Sequence, residues 1–504
     1  MLSTSVRCLT ASLLATLALA GEGFTSLYTR PDRSAALPLS HERLVGSQND
    51  DPEQVHIALA GEGEMTVSWV TPNRDVETDT RVHYWLDQSN QDVREGDRER
   101  DPIVEMVAFG NNETYSCGDQ QCPSGYTSGV VHHAILKGLL PTSTYTYRIG
   151  GSERTLSFKT APEPGPNVPF KYTLVGDLGQ TWHSLITVEH MKASSVDGLI
   201  MHIGDLSYAD GYQPRWDTYG RLVEHLAARV PWMTTCGNHE VEQGVGPLAA
   251  NNTDLFLAYN TRYHMPPLAD PSQPPADLAA EGPNNNFYRL RHGSTLWLML
   301  GSYVDFTEGS TQYKWLQAEL AAVDRAATPW VFVGSHAPWY NSNTVHANEY
   351  EGEGMRKVME RLLYDAGVDL VFHGHVHSYE RSFPSFNLSR DKCGLTYIVI
   401  GDGGNREGIA APWAEPQPEW SAFREGSFGH GTVEVVNSTH AVWRWMRNKD
   451  GMADVADELW LDKTQRSATC SSASAKSKPS TRLGLTSQST KSNKSKLPRS
   501  LATE

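Results

Sequence analysis

Between residues 54 and 160, apolar and polar positions alternate in short runs: Gln54-Val55-His56-Ile57-Ala58-Leu59, Met65-Thr66-Val67-Ser68-Trp69-Val70, Arg81-Val82-His83-Tyr84-Trp85, Val130-Val131-His132-His133-Ala134-Ile135-Leu136 and Thr144-Tyr145-Thr146-Tyr147-Arg148-Ile149. The period is two, turns break the runs, and helical periodicity is absent, which predicts an all-β sandwich. Ala161-Pro162-Glu163-Pro164-Gly165-Pro166 has a linker composition, and beyond it the pattern changes. Apolar strands at 172–175, 199–203, 232–235, 296–300, 330–333, 370–372 and 397–400 now alternate with helical stretches. After His346, the residues Met355, Val358, Met359, Leu362 and Leu363 share one face of a helix that Gly367 ends. This is α/β layering. The Pro/Ala/Asn-rich sequence between His239 and Asn286 predicts surface loops near a site rather than a domain. The Ser/Lys/Thr-rich end beyond Gln465 predicts a disordered tail.

Composition narrows the setting. The 504 residues are 39% hydrophobic and 20% charged, enough for two or three packed units. The formal charge is −16, and the segment from Ser471 holds seven Lys/Arg against Glu504, so the remainder stands at −22. An acidic body argues against nucleic acid as a partner. Arg7, the apolar run 9–19 and Ala18-Leu19-Ala20 read as a signal peptide cleaved after Ala20, and that run is shorter than the ~20 residues of a membrane span. The expected destination is secreted or extracellular, with vacuole and cell wall as alternatives, and no membrane partner. Cleavage leaves Cys117, Cys122, Cys236, Cys393 and Cys470. Cys117 and Cys122 bracket a polar loop that a small disulfide could close, Cys236 ends an apolar run and should be buried, and Cys470 either pairs with Cys393 or links a homodimer. Asn-x-Ser/Thr acceptors stand at Asn112, Asn251, Asn387, Asn437 and Asn493.

The chemistry lies just past the strands, where open α/β sheets place their sites. In order come Asp177-Leu178-Gly179, Gly204-Asp205-Leu206-Ser207-Tyr208, Gly237-Asn238-His239-Glu240, Gly334-Ser335-His336 and Gly374-His375-Val376-His377. Any one of these alone is an ordinary turn or a satisfied loop residue. Five at one sheet edge, mostly flanked by Gly, point to a metal centre. Asp177, Asp205, Tyr208, Asn238, His336, His375 and His377 give seven donors, too many for one tetrahedral zinc. With Asp205 bridging, two ions roughly 3.5–4 Å apart each receive four donors.

This arrangement resembles the purple acid phosphatases, of the large two-domain plant type, within the calcineurin-like metallophosphoesterases. The resemblance extends through Gly401-Asp402-Gly403-Gly404-Asn405 to Trp443-Arg444-Trp445-Met446-Arg447-Asn448, and Leu139-Leu140-Pro141-Thr142-Ser143-Thr144-Tyr145-Thr146-Tyr147 resembles a fibronectin type III corner. It implies a signal peptide at 1–20, a linker at 21–53, an all-β fibronectin type III-like sandwich at 54–162, an α/β metallophosphoesterase domain (a β-sandwich flanked by helices) at 166–465, and the tail at 466–504. It further implies Fe(III) on Asp177, Tyr208 and His377, a divalent ion (Zn, Mn or Fe) on Asn238, His336 and His375, and Asp205 between them. The hard phenolate of Tyr208 is what favours Fe(III). Metal-activated hydroxide would attack phosphorus, because bound metal lowers the pKa of water toward ~7.

His239 is the expected donor to phosphate or leaving group, and His346 resembles a second substrate-side histidine, although Val345 stands where plant relatives often carry another His. His373 is expected to pack behind the ligands, and Gly403-Gly404 to form a turn. The expected activity is an acid phosphatase acting on small phosphomonoesters. Alternatives are a phosphodiesterase, nucleotide pyrophosphatase or phytase on the same fold, or an inert adhesion protein.

Overall fold

In the computed structural model, the described residues are 22–29, 33–46, 51–73, 79–87, 103–117, 125–194, 198–242, 255–267, 285–449, 452–466 and 470. The signal peptide with Cys8, the acceptors Asn251 and Asn493, Cys122, most of the 239–286 insertion and most of the tail lie outside them.

The alternating runs form the expected N-terminal sandwich. One four-stranded sheet joins Glu53–Gly61, Glu64–Thr71, Val130–Leu136 and Asn111–Glu113, and the other joins Thr155–Lys159, Thr144–Ile149, Arg81–Leu86 and Met106–Phe109. Val55, Ile57, Val67, Trp69, Tyr145, Tyr147 and Phe158 fill the space between, the inward half of each alternation. The hydroxyl of Tyr145 accepts the Leu140 N–H at 3.1 Å, the contact expected of a fibronectin-like corner.

The second domain is itself a sandwich. A six-stranded sheet runs Trp232–Thr235, Leu199–Ile203, Phe170–Val175, Gly429–Val435, His440–Lys449, Met452–Asp462; its first three strands are parallel, and the rest antiparallel. The facing sheet has eight strands: Phe24–Thr29, Ser421–Gly426, Tyr379–Ser382, Thr396–Ile400, Leu370–His373, Trp330–Gly334, Thr295–Met299 and Tyr288–His292. Aromatic side chains join the sheets: Tyr172 meets Trp297 and Phe332, and Phe372 meets Trp443. Helices cover the outside, among them Tyr350–Asp365, which buries Met355, Met359 and Leu363. Gly367, at φ 65°, turns the chain out of that helix.

Two features differ from a plain reading of the pattern. Within the stretch expected as a linker, Phe24–Thr29 is a strand paired in parallel with Ser421–Gly426. In the insertion, Leu257–Arg262 is a short helix with Tyr259 and Arg262 buried. Arg262 donates to Tyr115 Oη (3.0 Å), Gln54 Oε1 (2.8 Å), Tyr126 Oη (2.9 Å) and Asp217 Oδ1 (2.8 Å), so a buried cation ties the two domains together. Of the two outcomes open to Cys470, the bond to Cys393 within the chain is the one observed, and Cys236 is free and buried as expected. Cys117 is also disulfide-bonded.

Candidate metal centre

The parallel strands Phe170–Val175, Leu199–Ile203 and Trp232–Thr235 end at the same edge, and their next residues turn sharply. Asp177, Asp205, Tyr208 and His375 all lie in the left-handed region, with φ of 56°, 54°, 52° and 68°. Non-glycine residues rarely sit there, and such strain gathers at functional sites. Glycine supplies the remaining room. A Cβ at Gly237 would collide with Asp205 Oδ1, and one at Gly204 with His336 Nδ1.

The seven predicted donors converge, and six of them are buried. Tyr208 Oη lies 3.1 Å from Asp177 Oδ1 and 3.1 Å from His377 Nε2, and His377 Nε2 lies 3.3 Å from the same Asp177 oxygen. His336 Nε2 lies 3.0 Å from Asp205 Oδ2 and 3.2 Å from Asn238 Oδ1. Asp177 links the groups: its Oδ1 is 3.9 Å from His336 Nε2, and its Oδ2 accepts the His375 N–H at 2.8 Å. The His336 and His375 ring centroids are 5.2 Å apart, and Asp205, His336 and His375 bring potential ligand atoms within 4.8 Å of one another.

The histidines are aligned for this by their other nitrogens. His336 Nδ1 donates to Ile203 O at 2.8 Å, leaving Nε2 toward the centre. His375 Nε2 donates to Glu349 Oε2 at 2.7 Å, leaving Nδ1 unprotonated. Among the described residues, the buried Asp205 Oδ2 has no hydrogen-bond partner; the 3.0 Å approach of His336 lacks hydrogen-bond geometry. A buried anionic oxygen left this way is costly unless a cation meets it. The donors are two carboxylates, a phenol, an amide oxygen and three imidazoles, a mixed O/N set that suits iron and a divalent metal.

The electrostatics point the same way. Burial, then Asp177 and Asp205, drive the Tyr208 phenol far above its ordinary pKa, and a highly charged cation is the natural reversal of that effect. Burial opposes charge on His336, but Asp205 and Asp177 outweigh it and push its pKa up to about 9.

The substrate-side histidines flank the cluster. His239 donates its backbone N–H to Asp205 Oδ1 at 2.9 Å, its ring lies 4.1 Å from that of Tyr208, and its Nδ1 contacts Asp210. His346 lies 3.9 Å from the His375 ring, with Nδ1 2.7 Å from Glu349 Oε1. Val345 packs against Val376, Val399 and Ala410. His373 is fully buried, with Nδ1 3.1 Å from Ser335 Oγ and its ring 5.8 Å from that of Trp339.

Comparison with known proteins fits this geometry. Residues 52–160 match the model "Purple acid Phosphatase, N-terminal domain", residues 170–379 the calcineurin-like phosphoesterases, and residues 394–458 "Iron/zinc purple acid phosphatase-like protein C". Purple acid phosphatase 22 of Arabidopsis thaliana is 43% identical, over 83% of this chain and 87% of its own. The chain belongs to the purple acid phosphatases. The Fe(3+)-Zn(2+) purple acid phosphatase 12 of Arabidopsis thaliana is 36% identical over 87% of this chain and 91% of its own. The solved structure of purple acid phosphatase PPD1 from yellow lupin (Lupinus luteus) shares the fold, with a TM-score of 0.68 at 24% identity over 86% of this chain and 78% of that one. This chain is thus an acid phosphatase.

Several residues of this purple acid phosphatase site carry no role in the sequence reading. Glu240 is fully buried and accepts the N–H groups of Asp205 (2.8 Å), Gly237 (2.8 Å) and Leu206 (2.9 Å). Glu349 bridges His346 and His375. Tyr303 donates to Asn238 Oδ1 at 3.3 Å, and Arg406 donates to Tyr208 O. Glu240 sat inside the Gly-Asn-His-Glu block, the one available signal; the others lie on loops that only folding brings near.

Proposed function

We propose that this enzyme hydrolyses small phosphomonoesters, with Asp177, Tyr208 and His377 holding Fe(III), Asn238, His336 and His375 holding the divalent ion (Zn, Mn or Fe), and Asp205 bridging. The observation that carries the reading is the buried Oδ2 of Asp205, which has no hydrogen-bond partner among the described residues and lies among six other donors. When bound, the metal pair supplies Lewis acidity and an activated water nucleophile. The chain's own residues orient and discharge the substrate. His239, held by Asp205 and Asp210, is placed for the leaving oxygen; His346, steadied by Glu349, is placed for a phosphate oxygen. Glycine approach and the burial of Asp177, Asp205 and His336 keep water from the inner donors.

We further propose that the protein is secreted and glycosylated. Asn112 and Asn387 are exposed and Asn437 is half-buried, while no helix among the described residues is long and apolar enough to cross a membrane.

The test is kcat/KM at mildly acid pH for 4-nitrophenyl phosphate beside bis(4-nitrophenyl) phosphate, with metal analysis of the same sample. Monoester preference with one iron and one divalent ion per chain is expected. Diester preference overturns the substrate assignment, and a single zinc without iron overturns the ligand assignment. Tyr208→Phe should lower iron content while the fold, read by circular dichroism, stays intact.

A further inference from the structure

The strands that deliver Asp177, Asp205 and Asn238 at one end open at the other end onto a cavity of about 380 Å³ where the two domains meet. It lies between Lys159–Pro162, at the exit of the N-terminal sandwich, and Phe170, Leu199 and Pro231, at the amino ends of the three strands. A neighbouring cavity of about 280 Å³ shares Leu59, Thr160, Ala161, Pro162 and His292 with it, so the two are lobes of one cleft. A five-residue strand such as Leu199–Ile203 is roughly 15 Å long, which sets the cleft well apart from the metal centre.

The lining is amphipathic. Phe170, Leu199, Val230, Pro231 and Val435 are apolar, and Lys159, Lys171 and Arg229 are basic. Glu434, the cross-strand partner of Lys171, is the one carboxylate lining the first lobe, and Arg444 meets it at 3.1 Å while also pairing with Glu458 at 2.8 Å. Among the described residues, neither Lys171 nor Arg229 has a carboxylate within ion-pair distance. The second lobe adds Glu62, Glu64 and Glu163 against Arg291, so the local reversal of sign in this chain of net charge −16 is confined to the first lobe, where Lys159, Lys171 and Arg229 face one carboxylate. His292 adds a directional group: it is 3% exposed, lines both lobes, and uses Nδ1 toward Tyr172 Oη at 3.3 Å, while Nε2 has no partner among the described residues.

We propose that this cleft binds a small organic anion, an apolar or aromatic body carrying a phosphate, sulfonate or carboxylate head. The head would sit between Lys171 and Arg229, and the body would cover Phe170 and Pro231. The volume falls within the ~300–1,000 Å³ range of small-molecule pockets, and the half-buried ring of Phe170 is the apolar surface that an organic body, unlike a bare inorganic anion, would cover.

The probe is 1-anilinonaphthalene-8-sulfonate, titrated by fluorescence into the metal-loaded full chain. One saturable site per chain is expected, undisturbed by inorganic phosphate at concentrations that inhibit hydrolysis. Lys171→Glu/Arg229→Glu should weaken binding at least ~10-fold, since each reversal turns an attraction into a repulsion. Lys171→Gln/Arg229→Gln should fall between that pair and the wild type, and it keeps the test open if the reversal unfolds the protein. Lys314→Glu/Lys357→Glu, on exposed helix positions elsewhere, should change nothing. Displacement of the probe by phenylphosphonate alone assigns a phosphate head, and by benzoate alone a carboxylate head. Equal affinity in all variants, displacement by inorganic phosphate, or displacement by neither aryl anion overturns the proposal.

Discussion

Removing Glu240 tests whether the two ligand turns are held by one buried carboxylate. Its Oε2 accepts N–H groups from Asp205 and Gly237, both at 2.8 Å, and its Oε1 accepts that of Leu206 at 2.9 Å. Each buried N–H deprived of its acceptor costs ~1–3 kcal/mol. In Glu240→Gln, the remaining carbonyl oxygen can keep the two Oε2 bonds, while the new NH2 group faces the Leu206 N–H, so one donor is orphaned and ~1–3 kcal/mol is lost. In Glu240→Ala all three are orphaned, for ~3–9 kcal/mol, a large part of the ~5–15 kcal/mol that typically separates folded from unfolded protein. Urea unfolding of the metal-free protein should therefore rank wild type, Gln, then Ala by midpoint, with Ala far below Gln. Metal content should follow the same ranking, because Asp205 and the His239 N–H it accepts share this anchor. If Glu240→Ala unfolds within ~1 kcal/mol of wild type and retains both metals, the turns are held by something else and the reasoning fails.

Three further perturbations address separate parts of the molecule. Asp402 is fully buried, accepts Trp445 Nε1–H at 2.8 Å through Oδ2, has no hydrogen-bond partner for Oδ1 among the described residues, and burial pushes its pKa up to about 8. An acid raised in this way gives stability that is complete below about 4 and lost as pH rises through about 8, with a slope of up to about 1.4 kcal/mol per pH unit; Asp402→Asn should flatten that slope in pH-dependent melts. Glu349→Gln weakens the hold on His375, so the divalent ion should dissociate to a chelator ~10–100 times more readily while iron stays bound, as metal analysis will read. Arg262→Met leaves Asp217 without its cation at the domain interface and should cost ~3–5 kcal/mol of stability in urea unfolding, with little change in KM.

How much of this the chain announces depends on sequence distance. The strands whose alternation is local, such as Val130–Leu136 and Thr144–Ile149, fall where the pattern puts them, and so does the helix Tyr350–Asp365. The donor set is legible because all seven donors fall within a few residues after one of five apolar strands. Glu349 is not, because its role depends on His375, 26 residues away beyond the helix Tyr350–Asp365 and the strand Leu370–His373. Arg262 reads as a loop cation, and only the packing of Leu257–Arg262 against the N-terminal sandwich makes it a buried interdomain tie. Phe24–Thr29 escapes notice for the same reason: its partner is at the far end of the chain, and no local signal marks a strand that completes a distant sheet edge.

That first strand also sets the timing of assembly. Phe24 pairs with Phe423 and Thr25 with Arg424, so a segment made at the outset waits while nearly 400 further residues emerge, roughly 20–80 s at ~5–20 residues per second. The N-terminal sandwich contains all its own strands and can fold as it leaves the ribosome, whereas the eight-stranded sheet cannot close at that edge until synthesis is almost over. Throughout that interval the nascent enzyme carries an unpaired β segment at its leading end, which is the stretch a chaperone would have most reason to shield.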